Sequence, residues 1–143
     1  MVDSSKLTNN SRKIMKKFTI PGKPTPLARP RVTQYGAYDS QKDEKIVHRS
    51  ILRRQRGTTT LPPDTPIEMS ITFFMPIPKT MPKKKREELK YHYKRPDLDN
   101  LIKWVLDVAQ GVLFEDDSRV CVMHSKKKYD KDPRTEFTIK EIK

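Results

Sequence analysis

Two pairs of carboxylates, separated by a stretch that has the pattern of one helix, are the side chains of this sequence best suited to chemistry. Asp97 and Asp99 stand at the beginning of that stretch, and Asp116 and Asp117 follow it after a glycine. Carboxylate oxygens are the ligands that Mg²⁺ and Mn²⁺ prefer, and these ions keep water and substrate phosphate in their remaining positions. Three converging carboxylates would therefore hold an ion that activates water against a phosphodiester.

The helix between the two pairs is predicted from the spacing of its apolar residues. They recur at three- and four-residue intervals, which makes one apolar stripe: Leu98, Leu101, Ile102, Val105 and Ala109. Pro96 keeps its predecessor out of the helical region, and the Asp97 carboxylate is the expected N-cap. Gly111 is the expected stop.

A charged row is expected on the opposite edge of this helix. Asp99, Lys103 and Asp107 are spaced four residues apart and share that edge. From that edge, Lys103 could stabilise the transition state or hold a phosphate. In the structural alternative, the first acidic pair only caps the helix and favours its positive end, and the second pair is a turn. A D-x-D pattern by itself is more often structural, so the whole constellation is what favours a metal site.

The length of the helix tests whether the two pairs can meet. From Asp99 to Gln110 its axis measures about 16 Å at about 1.5 Å per residue. The following segment, 111–117, spans about 20 Å when extended. An antiparallel return in the same chain would then bring Asp117 beside Asp99. Delivery across a dimer interface is the alternative.

Charge and composition indicate a polyanionic partner. The 143 residues carry a net charge of +13, and 34% of them are hydrophobic and 34% charged. The core must be thin for this size, and a dimer interface would help to bury apolar surface.

Cys121 is the only cysteine, which excludes an intramolecular disulfide and a cysteine-based zinc cluster and predicts a cytoplasmic protein. No signal segment, membrane anchor or small-molecule cofactor motif is indicated. An acidic cluster in so basic a chain indicates a nuclease.

Residues 95–118 resemble the RusA family of Holliday junction resolvases, small endonucleases often carried by phages and prophages. The resemblance rests on R-P-D-L-D-N-L-I-K, then L-D, G-V and D-D-S followed by a hydrophobic strand. It extends upstream to I-P-G-K-P-T-P-L-A-R-P-R-V and Y-D-S-Q-K, and so covers most of the chain from about Phe18.

The resemblance implies an active site and an assembly. The catalytic carboxylates of the family correspond to Asp97, Asp99 and Asp117, its catalytic lysine to Lys103, and the first member of its acidic pair to Asp116 as a further metal ligand. It also implies a homodimer, dependence on Mg²⁺ with Mn²⁺ as a possible substitute, and paired nicks across a branched, four-way DNA junction.

Basic residues around these acids are the candidates for DNA binding. Arg29 and Arg31 flank Pro30 on a stiff, proline-rich segment, where guanidinium groups suit bidentate phosphate contacts. The DNA-binding candidates are Arg29, Arg31, Arg53, Lys84, Lys85, Lys94 and Arg95. Solvated charged surface is the alternative for each. Tyr35 and Tyr38 either stack on opened bases or cap the core.

The predicted fold is α+β, a single small RusA-like domain over residues 17–143 that follows a disordered basic tail, 1–16. Helices cover one face of a mixed β-sheet. The strands expected are 17–20, 67–75, 119–124 and 136–142, with Phe137 and Ile139 inward and the last two strands forming a hairpin.

Two further helices are expected, at residues 39–56 and 82–91. Ser40 is the expected cap of the first. His48 has no partner at ligand spacing and is interpreted as structural or exposed. The buried side of the first helix is predicted to consist of Ile46, Val47, Ile51 and Leu52.

Three functions are compatible with the sequence to different degrees. The first is a Mg²⁺-dependent, structure-selective endodeoxyribonuclease that resolves Holliday junctions during DNA recombination and repair. The second is a non-catalytic DNA- or RNA-binding module with structural acids. A D-x-D sugar-nucleotide transferase fits poorly, because the chain is short, strongly basic and without a nucleotide-binding fold signal.

Overall fold

The computed structural model describes residues 15–29 and 31–142. Residues 1–14 of the predicted tail lie outside the described residues, whereas Met15 and Lys16, also assigned to that tail, belong to the first strand. In chain order, the elements are β1 (Met15–Pro21), β2 (Arg31–Thr33), β3 (Gly36–Tyr38), α1 (Lys42–Arg56), β4 (Ile67–Pro76), α2 (Lys83–Glu88), α3 (Leu98–Ala109), a 3-10 turn (Asp117–Arg119), β5 (Val120–Asp130) and β6 (Arg134–Glu141).

The main sheet is mixed, as predicted, but the expected hairpin is wrong. Its strand order is β1-β6-β4-β5, with β6 antiparallel to both neighbours and β4 parallel to β5. Strand β6 alternates strictly between buried and half-buried residues, which suits an inner position. Strand β5 carries Lys126, Lys127 and Lys128, and such charge is tolerated at a sheet edge. The two strands are therefore separated by β4.

One face of this sheet forms the core with helices α1 and α3. The predicted alternation of β4 is confirmed, since Ile67, Met69, Ile71, Phe73 and Met75 are all buried. Phe137 and Ile139 of β6 are buried as well, as expected. Between these residues the sheet turns half-exposed or exposed side chains to the other face. The molecule is thus a two-layer α+β domain.

Helix α1 differs from its prediction in cap and in buried face. Gln41, not Ser40, holds the N-cap position, and its side chain makes no capping hydrogen bond. Leu52 is fully buried, but Ile46 and Val47 are 54% and 55% exposed. Compared with the predicted orientation, the helix is rotated about its own axis, so that Lys45 points toward α3. The Lys45 ammonium lies 2.9 Å from a carboxylate oxygen of Asp107 on that helix. A rotation that serves this ion pair carries the next two positions around toward solvent.

Three smaller features differ from the prediction. Strands β2 and β3 form a separate two-stranded antiparallel sheet that the sequence did not predict. Tyr35, in its turn, is 90% exposed and Tyr38 is exposed too, so neither caps the core. Helix α2 is shorter than expected, and all of its residues are exposed.

His48 joins the two long helices, which confirms its structural interpretation. The indole Nε1 of Trp104 on α3 donates to His48 Nδ1 at 2.9 Å, and the two rings meet edge to face. Accepting at Nδ1 requires a neutral imidazole that carries its proton on Nε2. Burial lowers the pKa of His48 below its usual 6.5, although the nearby Glu44 carboxylate acts in the opposite direction. The contact fixes how α1 lies against the helix that carries the acids.

Acidification below about pH 6.5, the usual histidine pKa, should destabilise the fold through His48. The folded pKa is the lower one, so the unfolded chain binds more protons in this window, and stability rises with pH and is lost as pH falls. Urea unfolding at a series of pH values measures the slope. It should become shallower in His48→Gln, where the part due to His92 remains because burial also lowers the pKa of His92, and it should persist unchanged in His124→Gln, whose ring is exposed. An unchanged slope in His48→Gln would contradict the assignment.

Candidate active site

Helix α3 leaves its first carboxylates unburied. It begins at Leu98, and Asp97 holds the N-cap position, as predicted, in an extended conformation. The predicted cap by the Asp97 side chain is wrong, since that side chain makes no capping hydrogen bond. Only the Asp97 carbonyl takes part, accepting from Leu101 N at 3.3 Å. The carboxylate of Asp97 therefore remains available to a ligand.

The charged row on α3 is shorter than predicted. Asp99 and Lys103 are both exposed, and the Lys103 ammonium lies 4.0 Å from an Asp99 carboxylate oxygen. Asp107 instead faces α1, where Lys45 lies at 2.9 Å and Arg49 at 3.8 Å. Its charge holds two helices together, because it lies on the side of α3 that α1 covers. The accessible part of the row is one carboxylate and one ammonium.

Two adjoining open clefts, of about 500 and 530 Å³, flank the start of α3. Leu27, Ala28 and Asn100 line both of them. The first is completed by Pro26, Arg95, Pro96 and Asp97. The second is completed by Arg29, Asp99 and Lys103. Each carboxylate thus opens into a cleft that also contains a basic side chain, an arrangement suited to a phosphate chain with a cation.

Residues 26–28 form one wall of the clefts, and their backbone is held by hydrogen bonds from α3 and from the residue before α1. Leu27 N donates to the carbonyl of Asn100 on α3 at 3.0 Å. Gln41, just before α1, accepts from Ala28 N at 2.8 Å and donates to the Pro26 carbonyl at 2.9 Å. Sequence reasoning missed Gln41, since a glutamine before a helix has no chemical signature of such a role.

The second acidic pair lies at the opposite end of α3. Asp117 N donates to Gln110 Oε1 at 3.1 Å, which places it beside the helix C-terminus. Asp116 caps the 3-10 turn by accepting from Ser118 N at 3.1 Å, and this bond lowers the Asp116 pKa. About 16 Å of helix axis, from Asp99 to Gln110, separates the two pairs.

The expected antiparallel return within one chain does not occur. Val112 N and Leu113 N both bond to the Ala109 carbonyl, at 3.0 and 2.8 Å, so the chain folds compactly on leaving the helix. It buries Val112, Leu113 and Phe114 there instead of extending. Within residues 15–29 and 31–142, no three His, Cys, Asp or Glu side chains are grouped so that they could hold a metal ion.

The donor set of one chain still fits a hard cation. Mg²⁺ is usually bound through one or two carboxylates, with waters and substrate phosphates as its other ligands. Asp97 and Asp99 are exposed oxygen donors at the positive end of a helix and line adjoining clefts. They are the residues that would hold the ion.

The basic candidates are only partly gathered at the clefts. Arg29 and Arg95 line them, and Lys94 is exposed beside Arg95. Arg53 is exposed on the last turn of α1, about 18 Å along the helix axis from Gln41. Lys84 and Lys85 are exposed on α2, and the side chain of Arg31 lies outside the described residues.

No helix in the described part of the chain is long and apolar enough to cross a membrane.

Comparisons with known proteins place the site in a family. The protein-family model described as "Endodeoxyribonuclease RusA" matches residues 21–140, which include both acidic pairs. "Uncharacterized protein YqaN" of Bacillus subtilis (strain 168) is 29% identical over 138 residues, 88% of this chain and 96% of that protein. "Crossover junction endodeoxyribonuclease rusA" of Lactococcus phage r1t is 28% identical over 106 residues, 73% of this chain and 77% of that protein.

Gln41→Ala should loosen the cleft wall without unfolding the protein. The Ala28 amide loses its acceptor, so its hydrogen exchange should quicken by roughly tenfold, as expected for one lost hydrogen bond. Hydrogen exchange resolved by NMR measures this. Gln55→Ala is the matched control, because Gln55, near the other end of α1, likewise accepts from one backbone amide and donates to one carbonyl, both of Thr19 on β1. Equal exchange at Ala28 in both variants would refute the role of Gln41.

Proposed function

This chain belongs to the RusA family of endodeoxyribonucleases, and on that premise we propose that it resolves Holliday junctions by metal-dependent, paired symmetric nicks during DNA recombination and repair. One observation carries the proposal: the Asp97 and Asp99 carboxylates open into adjoining clefts that also contain Arg29, Arg95 and Lys103. Acids by themselves would repel DNA. Acids between basic side chains suit a cation bound together with a phosphate chain.

The residues of the clefts have separate roles in the proposed reaction. A Mg²⁺ or Mn²⁺ ion held by Asp97 and Asp99 would stabilise charge on the scissile phosphate and activate water. Lys103, which lies 4.0 Å from Asp99, contributes a positive charge to the same phosphate. Arg95 and Arg29, in the two clefts, bind the flanking phosphates and set the position of the strand.

Junction selectivity is proposed to come from shape. A net charge of +13 draws any DNA in a salt-dependent and largely sequence-independent way. A homodimer with a two-fold axis would present two such basic faces at a fixed angle and two acidic sites on opposing strands. Paired nicks at symmetric positions follow from that geometry.

The dimer is also proposed to complete each site. Asp117 lies at the far end of α3 from Asp97 in its own chain, and the compact turn after the helix leaves no slack for a return. An antiparallel arrangement of two α3 helices would bring Asp117 of the partner subunit, with Asp116 of the partner subunit, beside the Asp97 and Asp99 of the first. Each site would then contain carboxylates from both chains.

Asp97→Asn should abolish nicking of a synthetic four-way junction in Mg²⁺ while leaving junction binding intact. The amide keeps the shape of the side chain but removes a charged metal ligand, and a loss of at least about a hundredfold is expected for such electrostatic stabilisation. Gel assays of product and of the bound complex measure the two quantities. Asp132→Asn, an exposed acid on the turn before β6, is the control. Nicking by Asp97→Asn at the control rate would refute the assignment.

Mixing two inactive variants distinguishes a shared site from a site within one chain. In a heterodimer of Asp97→Asn with Asp117→Asn, a shared arrangement leaves one site with both acids intact, so single nicks should return. Sites confined to one chain would all remain defective, and the mixture would be as inactive as its parts. Refolding the two variants together ensures that subunits exchange, and differently sized tags quantify the heterodimer.

A non-catalytic DNA- or RNA-binding module is the second candidate. It is favoured by one observation, the lack of any three-acid group in the described part of a single chain. Junction nicking with and without Mg²⁺ or Mn²⁺ separates the two candidates. Binding with no product at any concentration of either metal would support the module.

A further inference from the structure

Lys127 is a charged residue on the inner face of an edge strand. It lies opposite Phe73 in the β4–β5 register, and paired residues of neighbouring strands share a face. Phe73 is buried in the core, and Lys127 itself is half-buried. A lysine in such a place lays its methylene stem along apolar surface and needs polar partners for its ammonium.

Two backbone carbonyls of the loop before Asp97 are those partners. Lys127 Nζ donates to the Lys94 carbonyl at 2.7 Å and to the Pro96 carbonyl at 2.6 Å. Among the described residues, no carboxylate lies within ion-pair distance of Lys127. The ammonium is therefore committed to this loop, through hydrogen bonds that its charge strengthens.

The backbone of β5 holds the same segment from the other side. His92 N donates to the Lys127 carbonyl at 3.0 Å, and Tyr129 N donates to the Lys90 carbonyl at 3.0 Å. Strand β5 thus ties down residues 90–96, first through its main chain and then through the Lys127 side chain. The segment leads directly into Asp97, whose carboxylate makes no capping bond that would hold it in place.

We propose that Lys127 is a positioning residue, which sets Arg95 and Asp97 in place for the substrate strand through its bonds to Lys94 and Pro96. Lys127 binds the carbonyls of the residues on either side of Arg95 in the chain, and Asp97 directly follows Pro96. Misplacing a reacting group by about 1 Å can cost about a hundredfold in rate. The effect on catalysis rests on the proposed nuclease function, whereas the effect on the loop does not.

The loop is tested first, without DNA. Lys127→Met removes both hydrogen bonds and keeps the apolar stem, so the loop should open more often. Trypsin should then cut between Lys94 and Arg95 roughly tenfold faster under native conditions, with the cut site identified by mass spectrometry. Lys126→Met is the matched control, because Lys126 is the preceding residue of β5, is exposed and points to the other face. Equal cutting in both variants would overturn the proposal.

Catalysis is tested second, by single-turnover nicking of a four-way junction with saturating protein. The Lys127→Met rate should fall by about ten- to a hundredfold at saturating metal, while junction affinity stays that of Lys126→Met. Lys127→Arg, which keeps a cationic donor of similar length, should recover part of the rate. A rate equal to that of Lys126→Met, or a loss of affinity as large as the loss of rate, would refute positioning.

The two experiments keep the proposals apart. If no form nicks DNA, including the unaltered protein, the proposed function fails and the trypsin result still decides the role of Lys127 in the loop. If Lys127→Met does not fold, Lys127→Gln replaces it. Its shorter side chain cannot span both carbonyls, so the same faster cutting and slower nicking are expected, and their absence carries the same refutation.

Discussion

The rigid length of α3 is the constraint on which the arrangement of the site depends. A helix fixes the separation of its ends at about 1.5 Å per residue, so Asp99 and Gln110 stay about 16 Å apart. The chain cannot compensate afterwards, because two amides bond to the Ala109 carbonyl and the next three side chains enter the core. One chain therefore presents its two acidic pairs at opposite ends of helix α3. This separation is the observation behind the proposal that two chains complete each site.

The orientation of that helix is set by contacts with α1. Trp104 donates to His48, and Asp107 lies close to Lys45 and Arg49. These polar contacts turn one edge of α3 toward α1 and leave the edge with Asp99 and Lys103 to solvent. The same contacts expose Ile46 and Val47 on α1. Packing and accessibility of the acids are thus two results of one helix–helix contact.

The start of α3 is held from outside the helix. Gln41 and the Asn100 carbonyl hold residues 26–28, which form the wall of the clefts, and Lys127 holds the loop that ends at Asp97. All of these contacts end on backbone atoms. The site is therefore positioned by side chains that do not need to touch a substrate, while the groups able to bind a metal or a phosphate remain exposed. Such a division lets the functional carboxylates keep their charge without burial.

The sequence by itself determined the parts of this protein that depend on local pattern. The alternation of β4, the helical period of α3, the fold class and the acidic and lysine residues that resemble the family are all readable from neighbours a few positions apart, because side-chain direction repeats with fixed periods. Only the tertiary structure decided the strand order, the face that α1 buries and the location of Asp117. Each of these depends on contacts between residues distant in sequence, where an ion pair or a compact turn outweighs the local preference. Gln41 and Lys127 belong to this second group, since a hydrogen bond to a distant carbonyl leaves no mark in the sequence around the donor.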